Sequence, residues 1–367
     1  MKQLHQLLSS MDKQDKTRPS MDVSNMVMDK SAPVVKVCSK ERLPFKSKNT
    51  HYFKKLDEEI KQYVTWALLT ENELLKRNQF VEKVQQLVDA IAPGYKVLVF
   101  GSQSCGMASY FSDIDLNVAN LSDAHIQMLV QRLQAIAPGT KYIKAKVPII
   151  SGIAQELQID FDISFTQKEV IQQDILRLSG LAQEVKNLLV VMKAYLKQRN
   201  LHTPHVGGLS GHLLLQLVLV LVQNRDSYFP YKRQSYGSAQ LLLEFLQFYG
   251  QMFNYTYMYI YLNDKGAYSL RVRGDTIYQR CMQGRKPVLC IINQTAEVGG
   301  GVYKFETLSE VFDKTYLDMM HVNFQSVLGR IIGVDRVGIR SRELIGEGDE
   351  EDEDKNEEED IQEVQEV

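Results

Sequence analysis

Cysteine is scarce in this sequence of 367 residues, with four in all. Cys38, Cys105, Cys281 and Cys290 form no CxxC pair and no cluster with histidine. This distribution argues against a zinc site and against the disulfide framework of a small secreted protein. We therefore expect a hydrophobic core to stabilise the fold, for which a hydrophobic content of 44% is sufficient.

Long apolar runs are also missing. The most apolar stretch, Leu213–Val222, has about half of the length that a helix needs to cross a bilayer, so it predicts a buried core helix. The N-terminal segment lacks the apolar region of a secretory signal peptide, and its Asp12 and Asp15 are atypical of a transit peptide. We therefore expect an intracellular, soluble protein with no membrane partner.

A large net charge is absent, since 43 basic and 45 acidic residues leave −2. The charge is unevenly distributed, however: Glu347–Val367 carries 13 acidic residues and one lysine, and the rest of the chain carries 42 basic and 32 acidic ones. A basic body with an acidic tail is consistent with a protein that binds a polyanion. A solvated body with a disordered tail fits the same numbers, and charge alone does not distinguish the two.

Hydrophobic periodicity predicts an α+β protein. Residues 1–50 are polar and aperiodic and predict a disordered extension, and residues 346–367 predict a disordered acidic tail. Helices are predicted at 56–91, 123–136, 185–199, 211–223, 239–249 and 308–317. Strands are predicted at 96–100, 114–118, 141–153 and 157–165, and a β-rich excursion at 254–273. We therefore expect a small mixed-sheet domain over 93–178, inserted into a mostly helical central domain built from 51–92 and 179–345.

The most informative stretch is VLVFGSQSCGMASYFSDIDLNVAN, from Val97 to Asn120. A strand ends in Gly101-Ser102, and the next strand carries Asp113 and Asp115. Because residues two apart on a strand point to the same face, these carboxylates project together and repel unless a cation lies between them. Mg²⁺ prefers such oxygen ligands, and the backbone N–H groups and hydroxyl after the first strand suit a phosphate. The simpler interpretation of DxD alone is a solvated strand edge.

A further strand carries a second pair of carboxylates, Asp160 and Asp162, which also share a face. One of them would complete a three-carboxylate, two-metal site. Geometry alone does not decide which.

The run of GS, SDIDL and DISF resembles the nucleotidyltransferases of the DNA-polymerase-β-like superfamily. More narrowly, the chain resembles the exosome-associated poly(A) polymerases, the catalytic subunits of TRAMP-type complexes, over residues 51–345. The runs that carry this narrower resemblance are LDEEIKQYV, KVPIISG, VVMKAYLKQRNL, GGLSGHLLLQLVLVLVQ and LLLEFLQFYGQMFNY. In that family the third carboxylate directly precedes Ile-Ser-Phe, which selects Asp162 over Asp160.

The resemblance implies a palm-like catalytic domain that adds adenylates from ATP to RNA 3′ ends, with Mg²⁺ or Mn²⁺ held by Asp113, Asp115 and Asp162. It also implies nuclear RNA surveillance, with a nucleolar location possible and a cytoplasmic one still open. No RNA-binding module is evident in the sequence, so the partners it implies are a zinc-knuckle RNA-binding protein and an RNA helicase.

Further residues are expected to hold the nucleoside triphosphate, whose four or so negative charges the metals offset only in part. They are Gly101, Ser102, Ser112, Lys193, Lys197, Ser210 and His212. Lys193 and Lys197 lie four apart on one helix face, where an exposed lysine pair is the simpler interpretation. His212 stands where relatives have an aromatic residue that stacks on the nucleobase, and its simpler interpretation is an ordinary residue of a helix N-terminus.

Two segments depart from the family pattern. In the loop from Asn293 to Tyr303, Ala296 and Gly300 replace an expected Asn and Arg, although Glu297 keeps an acidic residue. Gln172-Gln173 replaces small residues near the ribose. A terminal uridylyltransferase or an enzyme of relaxed nucleotide choice therefore stays open as an alternative. An inactive scaffold that binds RNA-decay partners is a second one.

Overall fold

The computed structural model describes residues 50–333, with gaps at 145–147, 169–170, 172–177, 204–205, 230–236, 264–267, 275, 283–288, 294–295, 298, 300 and 321–325. Residues 1–49 and the acidic tail, which were predicted to be disordered, lie outside the described residues. Gln172 and Gln173 also lie outside them. No helix in the described part is both long and apolar enough to cross a membrane.

The first two helices pack against different parts of the molecule. Helix α1 (Thr50–Ala67) buries one apolar side among the later helices. Helix α2 (Glu71–Ile91) begins with a capping box, in which the Thr70 hydroxyl accepts a hydrogen bond from the Glu73 amide and the Glu73 carboxylate accepts one from the Thr70 amide. Its buried face, which includes Phe80, packs on the sheet that follows. The division predicted at residue 92 therefore differs from the packing, because α2 shares the core of the sheet.

A five-stranded mixed sheet follows α2. Its strands are β1 (Val97–Val99), β2 (Ile114–Val118), β3 (Lys141–Ile143), β4 (Ile149–Ala154) and β5 (Ile159–Ser164). Their spatial order is β1-β2-β5-β4-β3, in which β2 and β5 run parallel and the other neighbours antiparallel. Helix α3 (Asp123–Ile136) connects β2 to β3 and shares the sheet's apolar core with α2. The predicted single strand over 141–153 was wrong, since β3 and β4 are separate antiparallel strands.

The later helices form a second core together with α1. They are α4 (Gln183–Gln198), α5 (Gly211–Tyr228), α6 (Gly237–Gln247) and, nearer the C-terminus, α8 (Phe305–Met320). The Tyr52 hydroxyl of α1 donates a 2.7 Å hydrogen bond to the Met319 carbonyl of α8, so the two ends of the described chain meet. The sheet is thus inserted within a helical unit, and the predicted α+β fold class is confirmed.

A second sheet lies within this largely helical part. Its strands are β6 (Met258–Leu262), β7 (Tyr268–Val272), β8 (Ile291–Asn293) and β9 (Ala296–Glu297), in the order β7-β6-β8-β9. Helix α7 (Thr276–Met282) lies between β7 and β8 in the sequence. The excursion predicted at 254–273 accounts for β6 and β7, but β8, β9 and α7 were missed because they are only two to seven residues long.

Candidate active site

Two parallel strands place Asp115 and Asp162 directly opposite each other. The register of β2 on β5 pairs Ile114 with Phe161 and Asp115 with Asp162. Paired residues of neighbouring strands point to the same side of a sheet. Ile114 and Phe161 are fully buried on the core side, so the two aspartates lie on the opposite side. Asp162, which the resemblance selects as the third carboxylate, therefore lies on the same side of the sheet as Asp115.

Asp113 and Asp160 extend this group of carboxylates. Asp113 directly precedes β2, and Asp160 is an exposed residue of β5. Burial by surrounding protein raises the pKa of Asp113, Lys197 lowers it, and the charges of Asp160 and Asp162 raise it again. Asp160 therefore lies near the site, but the register pairs Asp162 with Asp115 and so favours Asp162 as the third carboxylate.

The charged forms of these carboxylates are destabilised in the folded protein. Burial raises the pKa of Asp115 to about 7; Lys193 opposes this shift, and Asp113 and Asp162 add to it. Burial also raises the pKa of Asp162, a hydrogen bond with Ser151 opposes that shift, and the Asp160 charge adds to it. A bound cation would remove both the repulsion and much of the desolvation cost.

The donor set fits a hard divalent cation such as Mg²⁺, because its atoms are carboxylate oxygens on rigid neighbouring strands. Across the residues described, no three His, Cys, Asp or Glu side chains are grouped closely enough to hold a metal ion as they stand. Three carboxylates without a counter-ion repel one another, so a bound cation would stabilise their approach. The backbone register places Asp115 and Asp162 on the same side of the sheet, where they could hold such an ion.

The turn after β1 is built closely around Asp115. Gly101 has φ +65°, and a Cβ atom at this position would overlap the Asp115 carboxylate. The Phe100 amide also donates a 3.0 Å hydrogen bond to the Asp115 carbonyl. Ser102 is buried at the start of a 3₁₀ turn (Gln103–Cys105), and its side chain makes no capping hydrogen bond there. Gly101 thus allows the turn to approach the Asp115 carboxylate closely, and Ser102 is the next residue along the chain.

Ser112 lies in the turn that directly precedes Asp113. It is buried, and its hydroxyl accepts a 3.0 Å hydrogen bond from the Ser109 amide and lies 3.0 Å from the Ser109 hydroxyl. These bonds fix the turn just before Asp113. The structure therefore supports a role for Ser112 in positioning that aspartate, whereas the sequence predicted direct contact with the nucleotide.

Lys193 and Lys197 approach the carboxylates from helix α4. Lys193 is half-buried, and its charge lowers the pKa of both Asp113 and Asp115. A Cβ at Gly211 would lie 3.2 Å from the Lys193 Cε. Lys197 is the positive charge that lowers the pKa of Asp113 most, and its Nζ donates a 3.0 Å hydrogen bond to the Phe111 carbonyl. The predicted lysine pair therefore faces the carboxylates.

The N-terminus of α5 contains the other predicted nucleotide contacts. The Ser210 hydroxyl caps this helix by accepting a 3.2 Å hydrogen bond from the Leu213 amide. His212 is exposed, and its Nε2 lies 2.6 Å from the Gln216 side-chain nitrogen. Both residues make the local contacts of a helix start.

The loop that departs from the family pattern is only partly described. Glu297 lies in β9 and pairs with Ile292, and Gly300 lies outside the described residues. The exposed ring of Tyr303 occupies the space that a Cβ of Gly207 would fill. The loop therefore packs beside the glycine turn that precedes α5.

Sequence reasoning missed Arg77 of α2. Its side chain is 1% exposed, its Nη2 bonds the carbonyls of Ser109 (3.5 Å) and Tyr110 (3.3 Å), and Nε and Nη1 have no hydrogen-bond partner. Its charge acts on Asp113 and Asp115. An arginine on the apolar face of a predicted helix, three residues before Phe80, was the signal that could have revealed it.

The sequence is similar to known nucleotidyltransferases. Residues 56–176 match the family model of the "Poly(A) RNA polymerase, mitochondrial-like, central palm domain". Poly(A) RNA polymerase CID14 of Cryptococcus neoformans is 30% identical over 233 residues, which cover 58% of this chain and 30% of that protein. Terminal uridylyltransferase cid1 of Schizosaccharomyces pombe is 26% identical, over 55% of this chain and 52% of that protein. The chain thus spans about a third to a half of these relatives' length.

The fold has a solved counterpart, described as "the polymerase core of TRAMP, a RNA surveillance complex". It matches with a TM-score of 0.66 at 22% identity and covers 77% of this chain and 95% of that one. This likeness establishes the fold. Together with the family model and the relatives, it confirms the resemblance predicted from the sequence.

Proposed function

Since residues 56–176 match the central palm of poly(A) RNA polymerases, we propose that this protein adds nucleotides, chiefly adenylates from ATP, to RNA 3′ ends without a template. The observation that carries this proposal is the register of β2 on β5, which sets Asp115 opposite Asp162 beside Asp113. Mutually repelling, partly desolvated carboxylates of this kind cluster at functional sites, which supports a catalytic role for the group.

In the proposed reaction, the 3′-oxygen of the RNA attacks the α-phosphorus of the nucleotide. The bond from that phosphorus to the β-phosphate oxygen breaks, pyrophosphate leaves, and the hydroxyl proton passes to water. Asp113, Asp115 and Asp162 would hold the divalent ions, Mg²⁺ or Mn²⁺. When bound, these ions lower the pKa of the 3′-hydroxyl and neutralise charge on the phosphates.

The remaining residues of the site orient the nucleotide and offset its charge. Lys193 and Lys197 face the carboxylates from α4 and would lie beside the triphosphate. Gly101 lets the turn after β1 pack against the Asp115 carboxylate, and the Ser102 hydroxyl and the following amides would bind phosphate oxygens. Ser112 and Arg77 hold the turn before Asp113 from behind.

An extension assay tests the proposal. The purified chain is incubated with Mg²⁺, a short RNA and each of the four nucleoside triphosphates separately, and product length is measured on a gel. We expect ATP to support the longest extension. No extension with any nucleotide, by a protein whose circular dichroism shows a folded chain, would refute the activity.

The same assay separates the alternatives. A uridylyltransferase is favoured by the similarity to cid1 and by Gly300 in place of the expected arginine, and it would extend RNA best with UTP. An inactive scaffold would give no extension, with or without a candidate zinc-knuckle partner in the mixture.

Partners and location belong to the same proposal. We propose a zinc-knuckle RNA-binding protein and an RNA helicase as partners and nuclear RNA surveillance as the setting. The support is the family of the palm and the likeness to the TRAMP polymerase core. Co-purification of these two classes of protein with the tagged chain would test the assembly.

A further inference from the structure

Four aromatic side chains form a continuous row that begins on α1 and ends beside the carboxylates. This aromatic row consists of Tyr63, Trp66, Tyr110 and Phe111. The ring centroids are 5.9 Å apart for Tyr63 and Trp66, 5.3 Å for Trp66 and Tyr110, and 5.0 Å for Tyr110 and Phe111. Trp66 is 39% exposed, and the other three are half-buried. The row therefore presents aromatic surface to solvent.

Backbone hydrogen bonds hold the two halves of the row together. The Tyr110 amide donates to the Ala67 carbonyl (3.0 Å), and the Leu69 amide donates to the Ala108 carbonyl (3.1 Å). Between them, Leu68 and Ser109 form an isolated antiparallel bridge. The end of α1 and the turn before β2 thus form one rigid unit, and the row has a fixed position relative to Asp113.

Positive charge lies where the row meets the candidate site. The Lys197 ammonium lies 5.2 Å from the centroid of the Phe111 ring and bonds the Phe111 carbonyl. The same ammonium acts on Asp113, two residues after Phe111. A ligand that lies along the row would therefore bring one end to the carboxylates and its charge to Lys197.

Aromatic rings in series, one exposed and three half-buried against the helical core, lie next to a cation here. This arrangement suits single-stranded nucleic acid, because bases stack on accessible ring surface and the cation binds the backbone phosphate. We propose that the aromatic row binds the last bases of the RNA strand whose 3′-hydroxyl enters the site. This inference rests on the proposed function for the direction of the strand. Contact with Lys197 at the carboxylate edge favours RNA over an apolar protein surface.

The chain contains a single tryptophan, so its fluorescence reports on Trp66 alone. The full-length protein, without nucleotide, is titrated with single-stranded oligoadenylate and, in parallel, with a blunt RNA duplex of the same length. We expect the single strand to quench the tryptophan emission at lower concentration than the duplex, because only unpaired bases can stack on the ring.

Variants then test whether the ring contributes to binding. Trp66→Ala should weaken the binding of labelled single-stranded RNA about tenfold, by anisotropy, and Trp66→Phe should restore most of it, since it keeps an aromatic face. Tyr257→Ala is the matched control, because Tyr257 is 46% exposed and directly precedes β6 of the second sheet, and it should leave the affinity unchanged.

The outcomes separate this inference from the proposed function. If Trp66→Ala binds RNA with unchanged affinity and still extends it, the proposed RNA-binding role of the aromatic row is refuted, and the proposed activity is not affected. If RNA quenches the tryptophan emission and Trp66→Ala weakens RNA binding, but the protein extends no RNA, the RNA-binding role of the aromatic row is supported and the proposed activity is refuted. A tryptophan response to a protein partner but none to RNA would assign the surface to protein docking and overturn the inference.

Discussion

The sheet side and the helical side of the candidate site are built by different interactions. On the sheet side, Asp115 and Asp162 are fixed by the pairing of β2 with β5, and Gly101 packs against the Asp115 carboxylate. On the helical side, Ser210 caps a helix and His212 contacts the next turn of the same helix. The difference indicates that the geometry of the carboxylates is set by long-range strand pairing, whereas the predicted nucleotide contacts on the helical side are placed by local contacts at the start of one helix.

The largest expected effect comes from removing a carboxylate on the sheet side. Asp162→Asn or Asp115→Asn should lower RNA extension at least about 100-fold, because each loses a negative metal ligand with little change of shape. Asp160→Asn is the matched control, since Asp160 lies on the same strand two residues away and is exposed. Equal losses in Asp160→Asn and Asp162→Asn would contradict the assignment of the third carboxylate.

The same substitution at Asp115 should raise stability when divalent ions are removed by a chelator. The pKa of Asp115 is raised to about 7, so the stability conferred by its protonated form is complete below its ordinary pKa of about 4 and is lost as the pH rises through about 7. Asparagine avoids that loss. We expect a higher Tm for Asp115→Asn than for the wild type at pH 8, and no difference near pH 4.

A smaller effect is expected from the glycine that packs against Asp115. Gly101→Ala and Gly106→Ala both place alanine at a positive φ, +65° and +69°, and each should cost about 1 kcal/mol of stability. A Cβ at Gly101 would overlap the Asp115 carboxylate, whereas one at Gly106 meets nothing within 4 Å. We therefore expect roughly tenfold lower activity for Gly101→Ala alone. Similar activity in the two variants would show that this close approach is unimportant.

The smallest effect on activity is expected on the helical side. Ser210→Ala should cost about 1 kcal/mol of stability in chemical denaturation, because it removes the cap of α5. Its KM for the nucleotide should change less than about threefold. Ser210→Asp, which can still cap the helix, should recover the stability. A large rise in KM in Ser210→Ala at unchanged stability would instead restore the nucleotide contact predicted from the sequence.

Much of the sheet side was predictable because its signals are local and periodic. Alternation along β2 and β5 places Asp113 with Asp115 and Asp160 with Asp162, and buried Ile114 and Phe161 set which face they share. The short strands β8 and β9 carry too few residues for periodicity to predict them. The roles of Ser112 and Ser210 stay predictions, because a hydroxyl beside a site has the same sequence signal whether it contacts ligand or backbone.

The sequence by itself determined the fold class and two pairs of strand carboxylates, because side-chain period and hydrophobic pattern are properties of neighbouring residues. Only the tertiary structure decided that β5 lies parallel to β2 with Asp162 opposite Asp115. It also decided that Lys193 and Lys197 on α4 face these carboxylates, and that Arg77 is buried behind the turn before Asp113. These depend on contacts between distant segments, whose register is selected by packing of the whole core.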